Sequence, residues 1–228
     1  MNNSGLSLFE AYSVAYDAIS KRLAVAAQDN GVTIQSAPGS SLYNAVYGAD
    51  GTNVAINDRT LSAQGLSAFY VTDQNFNVSR IILNSDGHIV SPNTTGTYGF
   101  GAYVNFDTAI ADAYFSSPLV LNKNDPTRIA VAGSSVYVTQ DTLSGANGTN
   151  AATVNLSLTN VGSTGAGEQV SKLAYGTNDN RDVLLAGSTS GLWLSTTSAA
   201  NSLVNLPAYV GATPTGLVFD PRSQNRFY

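Results

Sequence analysis

One phrase recurs along this chain, and it limits the possible folds more than any other feature. "LAVAAQDNGVTIQS" (Leu23 to Ser36), "IAVAGSSVYVTQD" (Ile129 to Asp141) and "LLAGSTSGLWLST" (Leu184 to Thr196) share one plan. An apolar run ends in small residues, a short Gly/Ser/Asn/Asp turn follows, and an alternating run closes on Ser, Thr or Asp. Period-two alternation on both sides of turn-forming residues predicts a β-hairpin.

The residues before each hairpin also match. "SVAYDAISKR" (Ser13 to Arg22), "PLVLNKNDPTR" (Pro118 to Arg128), "KLAYGTNDNRD" (Lys172 to Asp182) and "GLVFDPRSQNR" (Gly216 to Arg226) each read as an apolar strand and a polar turn ending near an arginine. Asp-Pro, Asn-Asp and Asp-Asn are strong turn formers. With Tyr16, Leu121, Tyr175 and Phe219 aligned, the spacings are 105, 54 and 44 residues. The first is about double the others and predicts one more unit inside it. "TNVAINDRTLSAQGLSAFYVTDQ" (Thr52 to Gln74) fits, with Ile56 at the aligned position.

Units of about 40–50 residues, each with room for four short strands, are the signature of β-propeller blades. Outer strands are expected from "SLYNAVYG" (Ser41 to Gly48), "ATVNLSLTNV" (Ala152 to Val161) and "SLVNLPAYVG" (Ser202 to Gly211). A β-sandwich is the competing all-β reading, but it does not require one phrase to recur. The sequence therefore predicts an all-β propeller of antiparallel four-stranded blades, a single domain over 1–228. Approximate blades are 12–50, 52–115 with an insertion at 84–115, 117–162, 170–211 and an incomplete fifth at 213–228. Unpaired sheet edges are avoided in soluble proteins. The partial fifth unit therefore leads to the expectation that more chain of a parent protein, or else a second copy, completes the ring.

"LAVAAQDNGVTIQS" with "YNAVYGADGTNVAIND" and "FSSPLVLNKNDPTRIAVAGSSVYVTQD" resembles the sialidase-repeat (BNR, Asp-box) and sortilin-type propellers. That resemblance implies the propeller fold and activities ranging from glycoside hydrolysis to peptide binding and scaffolding. The family's box, roughly Ser-x-Asp-x-Gly-x-x-Trp, has no complete copy here. "NSDGHI" (Asn84 to Ile89) and "VTQDTLSG" (Val138 to Gly145) are worn remnants, and the single tryptophan, Trp193, lies on a hairpin arm, where packing between blades is expected.

Composition removes several functions. Charged residues make up 11% of the chain and the net charge is −5, with no Lys/Arg cluster to neutralise phosphates, so neither nucleic acid nor an anionic membrane is an expected partner. No apolar run approaches the roughly 20 residues that cross a bilayer. With no cysteine there is no disulfide or thiolate chemistry, and the lone His88, read as a surface loop residue, cannot build the usual zinc site. No cofactor is expected. A hard cation such as calcium could still find oxygen donors at Asp29, Asn30 and Asp50, though the spacing of a dedicated calcium loop is missing.

Candidate chemistry is thin. The glutamates are Glu10 and Glu168, and neither sits at a recognisable strand end. Arg22, Arg128, Arg181 and Arg226 fall at similar turn positions, one per unit, and read as structural donors to turn carbonyls. Asp29 and Asp50, both in Gly-containing loops, are the best candidates for a glycoside-cleaving carboxylate pair, with turn capping as the alternative role. The Gly- and aromatic-rich stretch 84–115 is a candidate binding insertion carrying Tyr98, Phe100 and Tyr103, or else a blade strand with a long hairpin.

These readings converge on a non-catalytic binding or display module of a larger exported bacterial protein. It would act at the cell surface or outside the cell, on a glycan or protein ligand. The alternatives are a sialidase-like glycoside hydrolase whose catalytic set is completed elsewhere, and a structural spacer in an adhesin or autotransporter passenger.

Overall fold

The structure is a computed structural model that describes residues 10–91, 102–106, 110, 113–144 and 153–228. The first sheet is a meander of β1 (Ala11–Asp17), β2 (Arg22–Ala27), β3 (Gly31–Gln35) and β4 (Tyr43–Tyr47), hydrogen-bonded in that order. The second contains β5 (Gly51–Asn57), β6 (Leu66–Asp73), β7 (Val78–Asn84), β8 (Ile89–Ser91) and β9 (Ala102–Phe106). The third sheet runs β10 (Leu119–Leu121), β11 (Arg128–Ala132), β12 (Ser135–Gln140), then β14 (Thr159–Ser163); β13 (Thr153–Leu156) leaves it for the second sheet. The fourth is β15 (Val170–Tyr175), β16 (Leu184–Ser188), β17 (Gly191–Ser195) and β18 (Val204–Asn205). A two-stranded sheet follows, β19 (Phe219–Asp220) with β20 (Ser223–Phe227). Four blades of a β-propeller result, with their first strands innermost: β5 packs between β1 and β10, and β10 between β5 and β15.

Alternation with period two explains how the blades stack. The aligned apolar residues pair across the first two strands as Tyr16 with Leu23, Ile56 with Phe69, Leu121 with Ile129, Tyr175 with Leu184 and Phe219 with Phe227. From the second blade on, this pair faces the preceding blade. Phe69 packs with Ala24 and Ile34, Ile129 with Tyr70 and Ile82, Leu184 with Ala130 and Val138, and Phe219 with Leu185. The adjacent residues point the opposite way, because successive strand side chains alternate faces. Ala24, Tyr70, Ala130 and Leu185 are fully buried against the following sheet. Trp193 packs with Ala130, Val138 and Val161, in the core between the third and fourth blades.

The innermost strands end on a side chain that caps its own turn, as Asp and Asn readily do. Asp17 accepts from Ile19 N at 3.1 Å and Ser20 N at 3.2 Å, and Asn57 accepts from Thr60 N at 3.0 Å. Asn122 accepts from Asn124 N and Asp125 N at 3.0 Å each, and Asp220 from Arg222 N at 2.9 Å. The fourth blade differs. Gly176 stands at this position with φ +82°, and Thr177 caps one residue later, accepting from Asn180 N at 3.1 Å.

Three sequence readings are refined. Of the four aligned arginines Arg22 does bond a carbonyl, but one of the next blade, as does Arg59, whereas Arg128 reaches a hydroxyl and a carboxylate there. Arg22 Nη1 donates to Asp86 O, and Arg59 Nη2 donates to Lys123 O at 2.7 Å. Arg128 Nη2 donates to Ser198 Oγ at 2.8 Å and pairs with Asp182. Arg181 is out of register with these: Val183 occupies the corresponding place beside Leu184, shifted by the longer turn after Gly176. The expected outer strand Ala152 to Val161 is two strands. β14 completes the third blade, whereas β13 crosses to the second and pairs in parallel with β9, Val154 opposite Val104. The stretch 84–115 likewise supplies blade strands, β8 and β9 sharing the edge of β7.

Candidate functional site

The innermost strands of all four blades line one cavity of about 470 Å³. Its wall contains Tyr12 and Ser13 of β1, Asn53 of β5, Leu119 to Leu121 of β10 and Lys172 of β15, with Tyr114 and Ser116 from the approach to β10. Counting back three residues from the aligned apolar position gives Ser13, Asn53, Pro118 and Lys172, so the repeat delivers one residue per blade to the hub.

Hub polar groups also tie the blades together. Ser13 Oγ donates to Val54 O at 3.4 Å and accepts from Val54 N at 3.3 Å. Asn53 Nδ2 donates to Thr72 Oγ1 and to Ser117 O, each at 2.9 Å, linking the second blade to the third. Tyr114 OH donates to Val170 O, and burial pushes its pKa up to about 12, so it stays a neutral donor at physiological pH. Tyr12 OH donates to Gln28 Oε1 at 3.0 Å. The Tyr12 ring also meets that of Phe115 at 5.7 Å between centroids, tilted by 51°, and both rings are exposed.

In charge, the described residues of the lining include one cation, Lys172, and no carboxylate. Most glycoside hydrolases use two carboxyl groups flanking the scissile bond, sialidases being an exception. Among the described residues no group of three or more His, Cys, Asp or Glu could hold a metal ion.

Asp29 and Asp50 are brought together, but outside this cavity's lining. Asp29 has φ +59° in the turn between β2 and β3, and its backbone N–H donates to Asp50 Oδ1 at 2.7 Å. Asp50 N donates to Gln74 Oε1 at 3.0 Å, and Asn30 Nδ2 to Gln28 O at 2.9 Å. Asp50 thus caps a hairpin turn, aided by Gly31 at φ +65°, where a Cβ would meet Tyr47 O at 2.0 Å. His88 is exposed in the turn between β7 and β8, its backbone N–H donating to Asn84 Oδ1 at 3.0 Å.

Tyr98 and Phe100 lie outside the described residues. Tyr103 is exposed on β9, at the outer part of the second blade, beside a groove of about 330 Å³ shared with Asn75, Phe76 and Asn105. Sequence reasoning passed over Tyr12, Asn53 and Lys172. For Asn53 and Lys172 the available signal was their fixed offset, three residues before the aligned apolar position.

No protein-family model matches the chain, and no curated protein matches it significantly. Among solved structures, 231 chains match. One is the β-propeller domain of Myceliophteria thermophila Cps50 (Swd1), at 14% identity and a TM-score of 0.56. The match takes in 95% of this chain and 61% of that one, so this chain spans less than two thirds of the length of its structural relative. At that identity the likeness concerns the fold alone. Topology and comparison agree: the chain carries a β-propeller fold.

Proposed function

We propose that this chain is a non-catalytic binding module that takes a saccharide at the propeller hub. One observation supports the reading: the hub cavity is lined by hydroxyls, the Asn53 amide and tyrosines, with the exposed Tyr12–Phe115 pair beside it and no carboxylate in its wall. Sugars are recognised by hydroxyl and amide hydrogen bonds together with apolar contact to aromatic rings, and few precisely placed polar groups in a concave site suffice. The composition, rich in Asn, Ser, Thr and Gly and free of cysteine, accords with a role in a larger exported bacterial protein at the cell surface.

Screening the purified chain against a glycan array, then titrating hits calorimetrically, tests this. A hit that Tyr12→Ala with Phe115→Ala weakens at least tenfold, about 1.4 kcal/mol, supports the hub. A hit indifferent to those changes, or no hit at all, ends the reading. Release of aryl from an aryl-glycoside, lost in Asp29→Asn, would favour the hydrolase instead.

A further inference from the structure

The detour of β13 gives the second blade a strand beyond the four of each neighbour, and it braces β9. That strand is hydrogen-bonded to β7 on one edge and to β13 on the other. Side chains on a strand held at both edges are placed more precisely than side chains on a loop. Tyr103 and Asn105 of β9 are two residues apart, lie on one face of the sheet, and are both exposed. Asn105 Nδ2 donates to Asn155 Oδ1 of β13 at 3.0 Å, which fixes the amide and leaves Asn105 Oδ1 available as an acceptor.

Beside β9 runs the turn between β6 and β7, and together they enclose a groove of about 330 Å³. One buried carboxylate organises this turn. Asp73 Oδ1 accepts from Asn75 N at 2.9 Å and from Asn77 N at 3.0 Å, and Asn77 Nδ2 donates to Asp73 Oδ2 at 2.9 Å. Phe76 takes φ +57°, rare for a bulky residue, and is buried in the core cluster of the second and third blades. Asn75 is left exposed, and among the described residues its side-chain amide has no hydrogen-bond partner. The groove is lined by the amides of Asn75, Asn77 and Asn105, the rings of Tyr103 and Phe106, and Ile110. No charged residue is among the described residues of its wall. Its volume falls at the small end of the range for small-ligand sites, about 300–1,000 Å³.

We propose that this groove is a separate ligand site that takes a short neutral saccharide. Each asparagine amide offers two N–H donors and a carbonyl acceptor, and neighbouring sugar hydroxyls present the matching acceptors and donors. The exposed Tyr103 ring supplies an apolar face for the C–H side of a pyranose. An uncharged wall disfavours uronic or sulfated sugars, because a charge taken from water without a partner is costly. The groove shares no residue with the hub cavity, so this inference does not depend on the hub reading.

Calorimetric titration of the purified chain with maltotriose, cellotriose and triacetylchitotriose tests it, with trigalacturonate as the acidic comparator. At least one neutral trisaccharide is expected to bind, with an affinity that added salt does not change. Tyr103→Ala and Asn75→Ala alter exposed residues, and each should weaken that binding about tenfold or more while leaving the thermal melt intact. Tyr12→Ala with Phe115→Ala should leave it unchanged. Should Tyr103→Ala misfold, Tyr103→Val, which suits a strand, replaces it. Failure of all three neutral sugars to bind overturns the proposal, as does binding that survives both groove variants. Tighter binding of trigalacturonate than of any neutral sugar overturns it as well. Binding lost only in the Tyr12 and Phe115 double variant would keep the hub reading and end this one.

Discussion

The second and third blades meet over an arginine–aspartate pair, and so do the third and fourth, but the two pairs sit in different surroundings. At the first boundary Arg80 and Asp141 are almost wholly buried. Arg80 Nη1 donates to Asp141 Oδ1 at 2.9 Å and Oδ2 at 2.8 Å, Tyr70 OH donates to Oδ2 at 2.8 Å, and Leu143 N to Oδ1 at 2.8 Å. At the second, Arg128 and Asp182 have side chains 15% and 41% exposed beside a polar groove, and Arg128 lies 5.5 Å from the centroid of the Tyr175 ring. The difference lies in desolvation. A buried charge has lost its hydration and depends on every remaining partner, whereas water can replace a partner at an open site. The first boundary is also crossed by β13, whose Val154 and Leu156 join the buried apolar cluster of the second and third blades.

Removing one acid from each boundary should expose this contrast most sharply. Asp141→Ala strands Arg80 and two further donors, and calorimetry should show a loss of about 3–5 kcal/mol. Replacing both partners, Arg80→Met with Asp141→Leu, is expected to recover most of it, because no unpaired charge remains. An equally severe Asp141→Ala and double variant would overturn this account of the boundary.

Gly176→Ala probes the second boundary through its backbone. The residue has φ +82°, and an added Cβ would fall 2.5 Å from Asn122 Oδ1, whose side chain bridges by donating from Nδ2 to Arg181 O at 2.5 Å. Positive φ in a non-glycine residue together with that clash predicts a cost of about 1–3 kcal/mol in chemical denaturation.

Each boundary also holds a tyrosine with a raised pKa. Burial, then the Asp141 charge, lifts Tyr70 well above 10.0, and burial lifts Tyr175 above the same value. A folded-state pKa above that of the unfolded chain stabilises the fold fully below about pH 10 and loses that effect as pH climbs through the higher value. Alkaline titration followed at 295 nm should therefore show tyrosines ionising together with unfolding. Tyr70→Phe is expected to move that midpoint more than Tyr175→Phe.

Asp182→Ala should have the smallest effect, about 0.2–1 kcal/mol, and less in high salt. A loss comparable to that of Asp141→Ala would show that the second boundary is drier than its geometry implies.

Much of the architecture was legible because strands and turns are local. Period-two alternation located both arms of each hairpin, and turn formers such as Asp-Pro, Asn-Asp and Asp-Asn marked the turns before them, whereas the Thr177 cap after Gly176 emerged only from the structure. Arg22 and Arg128 were visible as part of a periodic feature, yet their acceptors lie in the following blade, 64 and 70 residues on. The run Ala152 to Val161 read as one strand because Val154, Leu156 and Leu158 alternate with polar residues, and nothing local signals that β13 joins another sheet. The candidate site was the least legible part. Tyr12 and Phe115 meet across about half the chain, and sequence reasoning favoured Tyr103, which sits on the outer β9.

The sequence alone determined a repeated β-unit and the two alternating faces of its strands, because both follow from short-range periodicity and turn chemistry. Only the tertiary structure decided which residue of one blade meets which of the next, what converges on the hub, and which faces stay uncovered. Those depend on how sheets stack in space, and no contact between segments this far apart is encoded in a local pattern.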